Sequence, residues 1–294
     1  MNDDLALALA LADEADAITM RFFRDASLSV KTKVDRTPVT EADLAVETLL
    51  RQRLGHERPD DTIVGEEFGV TGSSSRRWII DPIDATKNFM RGVPVFATLL
   101  ALENEVGVVS APALGMRWWA ARGEGAFCRD AVASSSARRI HVSAIATIEE
   151  AQLSYDGIAD FDKAHLAEPF LALARRCART RAFGDFWSHM LVAEGACDIA
   201  IEPEVALWDM AAVQVIVEEA GGRFSDLAGN GRADGGSGVS TNGALHEAVL
   251  HSFSPAAGEK VPQADEGDRV QHKGDAPHPP SAPAPRKRGE GGGS

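Results

Sequence analysis

The stretch Trp78-Ile79-Ile80-Asp81-Pro82-Ile83-Asp84 limits what this chain can fold into more than any other feature. Trp78, Ile79 and Ile80 read as a buried strand, and Asp81 stands where that strand ends. Pro82 stiffens the turn, and Asp84 is placed to cap a new helix at Ala85. Two carboxylates three residues apart at a strand-to-helix turn can converge on a hard cation, since magnesium takes oxygen ligands in near-octahedral geometry. The N–H groups of the helix start behind them suit a phosphate. Taken alone, the spacing favours a plain Asx-turn and N-cap.

Three further acid clusters sit at the ends of apolar elements. Gly65-Glu66-Glu67 follows a strand at Thr62–Val64. Trp208-Asp209 opens a long apolar helix with Asp209 as N-cap, closing at Gly221-Gly222. Thr40-Glu41-Ala42-Asp43 is a capping box with Asp for the usual Glu, announcing a helix to about Leu54 that ends near Gly55. Each has a bland reading as a cap or surface acid; four together are hard to obtain by chance. A helix at Asp4–Phe23, strands at Phe96–Leu102, Val106–Ser110, Arg117–Ala121 and Gly125–Cys128, and alternating helix and strand from Lys163 to Gly222 give an α/β fold.

The net charge of −14 argues against a nucleic-acid binder, which would carry a basic patch. It leaves room for an anionic substrate, because bound cations reverse the local field. Cys128, Cys177 and Cys197 are scattered and read as reduced thiols. The acidic N-terminus is no secretory signal, and Asp13, Glu14 and Asp16 interrupt its apolar run, so no membrane span is expected and the cytoplasm is the default. Residues 254–294, rich in Pro, Gly and charge, read as a disordered tail.

The ordered set Val39-Thr40-Glu41-Ala42-Asp43, Gly65-Glu66-Glu67, Asp81-Pro82-Ile83-Asp84-Ala85-Thr86-Lys87-Asn88-Phe89 and Trp208-Asp209-Met210-Ala211-Ala212, then Glu219-Ala220-Gly221-Gly222, resembles the signature of the inositol monophosphatase superfamily. The resemblance implies a layered α-β-α-β-α sandwich. Residues 1–146 would supply most metal ligands, and residues 147–253 Asp209 and the substrate-facing side chains. It implies a magnesium-dependent phosphomonoesterase with about two to three ions. Glu66, Asp81 and the Ile83 carbonyl would hold one ion; Asp81, Asp84 and Asp209 a second; Glu66 and water a weaker third. Thr86 and Asp43 match the family's paired Thr and Asp that help activate the attacking water, which makes Glu66, Thr86 and Asp43 the catalytic set. Family members commonly form dimers, so the resemblance admits a homodimer. The chemistry is consistent, since a transferring phosphoryl group carries spread negative charge and bound cations remove the need for a protein nucleophile. One departure stands out: the family has Gly where this chain has Ala85, beside the phosphate. At a helical N1 position Ala is harmless; at φ > 0 it strains the loop.

Within the superfamily, Thr86-Lys87-Asn88-Phe89-Met90-Arg91-Gly92-Val93-Pro94 and Thr180-Arg181-Ala182-Phe183-Gly184-Asp185-Phe186-Trp187 look most like histidinol-phosphatases. Glu202 matches the position from which the family reaches the substrate's organic part. Asp185 and Glu202 would complement a cationic amine, and Arg181 would orient Asp185 or meet phosphate; the bland alternatives are a turn residue and a surface acid. His141, His165 and His189 read as surface or packing residues. The implied reaction is hydrolysis of L-histidinol phosphate. The alternatives are inositol 1-phosphate or another small monoester, and a catalytically impaired metal- or phosphate-binding protein, motivated by Ala85.

Overall fold

Strand alternation builds the scaffold. The computed structural model describes residues 2–32, 38–131 and 134–254; the expected tail falls almost wholly outside them. In chain order the elements are α1 (Asp3–Phe22), β1 (Val30–Thr32), β2 (Pro38–Thr40), α2 (Glu41–Glu57), β3 (Thr62–Gly65), β4 (Gly69–Thr71), β5 (Arg77–Asp84), α3 (Thr86–Met90), β6 (Ala97–Leu102), β7 (Val106–Ala111), β8 (Met116–Ala121), β9 (Gly125–Asp130) and β10 (Ser134–Arg139). There follow β11 (Gln152–Tyr155), α4 (Ile158–Lys163), α5 (Ala167–Arg176), β12 (Arg179–Arg181), α6 (Asp185–Ala193), β13 (Ile199–Glu202), α7 (Leu207–Glu219), β14 (Arg223–Ser225), β15 (Gly238–Thr241) and α8 (His246–Phe253).

An eight-stranded sheet runs β10-β9-β8-β7-β6-β5-β3-β4, and a five-stranded sheet runs β12-β11-β13-β15-β14. Successive strand residues face opposite sides. Accordingly Trp78 and Ile80 of β5, with Leu100 and Leu102 of β6, pack on Leu11 of α1 and Leu50 of α2. Ile79, Leu99 and Ala101, one residue out of phase, pack with α6 and α7 through Phe186, Met190 and Val213. Gly107 permits the close approach of α7, since a Cβ there would strike the Ala212 carbonyl. The second sheet lies on the far side of α6 and α7, and its outer face is covered by Phe161, Phe170 and Val249 of α4, α5 and α8. The result is the layered α-β-α-β-α sandwich, and the chain up to Ser254 forms one compact unit. No helix among the described residues is long and apolar enough to cross a membrane.

Several local expectations are corrected. Helix α2 runs through Gly55 to Glu57, because Gly55 lies in open space and the Arg58 N–H still finds the Leu54 carbonyl. Strand β5 does not stop at Asp81 but continues to Asp84. Asp84 caps no helix at Ala85: α3 starts at Thr86, with Ala85 itself in the cap position. Asp209 is not an N-cap but the third residue of α7, with Ala206 as cap.

Candidate active site

The continuation of β5 explains how Asp81 and Asp84 meet. Residues three apart on a regular strand point to opposite faces. Against β6, Asp81 pairs with Leu99 and Asp84 with Ala97, so three steps on β5 match two on its partner. The extra residue is a bulge at Pro82-Ile83, which brings both carboxylates to one side. Pro82 fits there because it has no N–H to lose from the ladder. Its carbonyl accepts the Thr98 hydroxyl at 2.8 Å.

Asp84 is then tied on both oxygens. Its Oδ1 accepts the Ala85 N–H at 2.9 Å and its Oδ2 the Phe186 N–H at 2.8 Å, the latter bringing in the start of α6. Asp209 reaches the same point from α7, its Oδ2 accepting the Ala206 N–H at 2.7 Å. Oxygens of Asp81, Asp84 and Asp209 lie within 4.8 Å of one another. Glu66, on the loop between β3 and β4, lines the same cleft of about 590 Å³, as do Ile83, Ala85 and Thr86. The Thr86 hydroxyl donates to the Ile83 carbonyl at 3.0 Å. Asp43 closes its capping box through Oδ2, accepting from the Thr40 N–H at 2.8 Å, and its Oδ1 is buried without a hydrogen-bond partner.

Burial and mutual repulsion set the electrostatics. Asp81 is held well above the ordinary carboxylate range by burial and by the negative charges of Glu66, Asp84, Asp209 and Asp43. Asp84 is raised in the same way, by burial and then by Asp185, Asp209 and Glu202. Burial first, and neighbouring acids after it, push Asp209 up to about 7, Asp185 to about 8 and Asp43 to about 6. Asp81 also keeps Oδ1 buried with no hydrogen-bond partner. An orphaned buried carboxylate oxygen among like charges is costly unless a cation completes it. Hard oxygen donors at this spacing fit magnesium.

Ala85 has φ +63° and ψ +45°, the left-handed region. Of the two alternatives posed by the sequence, this is the strained one. Asp185 is left-handed as well, at φ +49°, and both residues line the cleft. Two strained side chains at one cleft mark a place where local backbone preference yields to the site.

The organic end of the site differs from the sequence reading. Asp185 lines the cleft, whereas Glu202 is buried behind it, with Oε1 3.2 Å from His189 Nε2. Of the two readings open for His189, the structure selects packing: it is fully buried, its Nδ1 lies 2.7 Å from the Ser240 hydroxyl, and burial drives its pKa down to about 3. Burial pushes Glu202 up to about 8. Arg181 lies exposed on edge strand β12, its Nη1 donating to the Thr180 carbonyl at 2.7 Å, away from the cleft lining. The rest of the cleft lining includes Asp156, Asp160 and Glu204, together with Lys87 and Lys163. Of these, Lys163 is occupied by Asp160 at 2.5 Å. The sequence reading passed over Asp156, Asp160 and Glu204. Asp156 and Glu204 lie in loops and Asp160 in the first turn of the short helix α4, places where acids are usually solvent-facing, so no pattern marks them.

The three cysteines are free, and burial pushes the Cys128 and Cys177 thiols up to about 11, out of nucleophile range.

The profile of the inositol monophosphatase family fits residues 2–257. The chain belongs to the inositol monophosphatase family. A histidinol-phosphatase of Streptomyces coelicolor is 50% identical over 84% of this chain and 96% of its own length. One of Mycobacterium tuberculosis is 52% identical over 85% of this chain and 97% of its own. Among solved structures, an inositol monophosphatase from Zymomonas mobilis matches with a TM-score of 0.74 at 30% identity, covering 85% of this chain and 97% of that one. Family membership makes the chain a phosphoric monoester hydrolase.

Proposed function

We propose that this chain hydrolyses L-histidinol phosphate to L-histidinol and inorganic phosphate with magnesium bound at the carboxylate cluster. Glu66, Asp81, Asp84, Asp209 and the Ile83 carbonyl would hold the metal. Bound magnesium supplies Lewis acidity and charge neutralisation at the phosphoryl group. The chain's own groups do the rest. Thr86 would help orient the attacking water, and the Asp43 carboxylate would be the base that finally takes its proton. The N–H groups of Thr86 and Lys87, at the start of α3, have no intrahelical acceptor by helix geometry and face the phosphate oxygens.

The observation that carries the substrate assignment is the further set of acids lining the same cleft, Asp185, Asp156, Asp160 and Glu204, which outnumber Lys87 and Lys163. Histidinol phosphate presents an ammonium and an imidazole beside its phosphate, and a set of carboxylates complements that charge. A neutral polyol would gain hydrogen bonds from it but no charge pairing. Phosphate release from a panel of monoesters, with and without Mg²⁺, tests the assignment. Histidinol phosphate is expected to give the highest kcat/KM, with activity lost on chelation. Faster turnover of inositol 1-phosphate would overturn the substrate, and activity in EDTA would overturn the metal.

A second reading, a metal- and phosphate-binding protein with impaired turnover, draws on the left-handed Ala85. Left-handed Ala costs about 1–2 kcal/mol; Gly gives back roughly 0.5–1 of this through unfolded-state entropy. Ala85→Gly is therefore expected to stabilise by about 0.5–1 kcal/mol, near 2 °C in Tm, and to raise kcat several-fold by relaxing the phosphate-facing turn. Calorimetry and steady-state kinetics check both. A wild-type protein with no turnover that Ala85→Gly revives would favour the second reading.

A further inference from the structure

We propose that Glu47 is a positioning residue that clamps the loop carrying Glu66, so that the Glu66 carboxylate is already in the cleft before a divalent cation binds. Glu47 lies on α2 and is wholly buried. Its Oε2 accepts the Glu67 N–H at 2.8 Å and its Oε1 the Phe68 N–H at 3.1 Å, two successive donors of the loop between β3 and β4. Arg51, one turn further on, donates from Nε to Glu47 Oε1 at 2.7 Å, from Nη1 to the Thr71 hydroxyl at 3.0 Å, and from Nη2 to the Gly69 carbonyl. Gly65 leaves room for this arrangement, since a Cβ there would fall inside the Glu47 carboxylate.

An exposed Glu–Arg pair at this helical spacing contributes a few tenths of a kcal/mol. A buried one is different in kind, because an ionised carboxylate is tolerated inside a protein only when charge-assisted hydrogen bonds surround it. Here those bonds go to the backbone of one short loop. The loop needs an anchor. Glu66 is among the charges that repel Asp81 and Asp43, so a free hairpin tip would relax outward and return only with the cation. Glu47 grips the residue next to Glu66 and the one after, while Arg51 ties the far side of the hairpin. Metal affinity then carries less of the cost of ordering the loop.

The clamp rests on the metal reading of the cleft, and the test separates the two. Binding of Mn²⁺ alone, followed by electron paramagnetic resonance, is compared in wild type, Glu47→Gln and the milder Arg51→Met. Glutamine keeps one acceptor oxygen and so must drop one loop N–H; methionine removes Arg51's ties to Glu47 and the hairpin but leaves both N–H bonds. Mn²⁺ is expected to bind at least tenfold more weakly to Glu47→Gln and about threefold more weakly to Arg51→Met. At saturating Mg²⁺ the KM for histidinol phosphate should stay within twofold of wild type in both. Folded variants with wild-type Mn²⁺ affinity would overturn the clamp, as would Arg51→Met alone if Glu47→Gln failed to fold. No Mn²⁺ binding by wild type would instead sink the metal reading.

Discussion

Asp81→Asn is expected to lower kcat/KM roughly a thousandfold or more, the scale of losing a preorganised charge contact in a closed site, while making the metal-free protein more stable. The two effects have one origin. Asp81 sits among Glu66, Asp84, Asp209 and Asp43, with one oxygen unpartnered. On the proposed reading that oxygen would become a ligand when a divalent cation binds; without one, burial and neighbouring acids disfavour its charged form. Asparagine keeps the shape and removes the charge. Mg²⁺ at 100 times its Kd stabilises a protein that binds it only when folded by about 2.7 kcal/mol, and that thermal shift should largely vanish in the variant.

The pH dependence of the metal-free protein should report the same repulsion. Asp209 at about 7 and Asp185 at about 8 have folded pKa values raised above the ordinary carboxylate value of 3.8. A raised value means the folded state binds more protons than the unfolded one between the two pKa values. That contribution to stability is complete below about pH 4 and is lost as pH climbs through 7 to 8. Differential scanning in EDTA should show Tm falling between pH 5 and 8.5, with a shallower fall for Asp81→Asn. Mg²⁺ should flatten the curve, because a bound cation replaces the protons as counter-charge. A metal-free Tm independent of pH over this range would contradict the account.

What the sequence could disclose followed the range of each interaction. The strand ending in Asp81 and Asp84 and the capping box at Thr40 and Asp43 are written in contiguous residues, and the elements fall within a few residues of their expected bounds. The bulge at Pro82-Ile83 was not legible, since it exists only relative to the register of β6. The left-handed Ala85 runs against alanine's own preference, so local reasoning could frame the alternatives but not choose between them. Nothing in the sequence around Glu47 marks it as buried; its burial depends on a hairpin some twenty residues away. Glu202 was misplaced for the same reason in reverse, while His189 took the packing alternative. Their pairing across α6 and β13 turns a presumed cleft residue into a buried one. Order along the chain encodes which acids meet, whereas the walls of the cleft are assembled by tertiary packing.

Asp185→Asn should test those walls most directly. Asp185 lines the cleft at the start of α6, one residue before the Phe186 N–H that holds Asp84, and so sits next to the metal-type cluster. Asparagine tolerates the left-handed backbone at φ +49° as well as aspartate does, so the substitution changes charge with little change of shape. Losing one partner of a desolvated ammonium–carboxylate pair costs about 2–3 kcal/mol, which is on the order of 30- to 150-fold in KM for histidinol phosphate. For a neutral monoester of similar size the carboxylate offers hydroxyl hydrogen bonds that asparagine can largely replace, no ion pairing, and added repulsion near the phosphate. Its KM should hold or fall. Specificity, read as the ratio of kcat/KM values, would then collapse by about two orders of magnitude, with kcat on histidinol phosphate reduced far less than in Asp81→Asn. Equal losses on both substrates would mean that Asp185 serves the phosphate end, and the cationic group would have to be sought at Asp156 and Glu204.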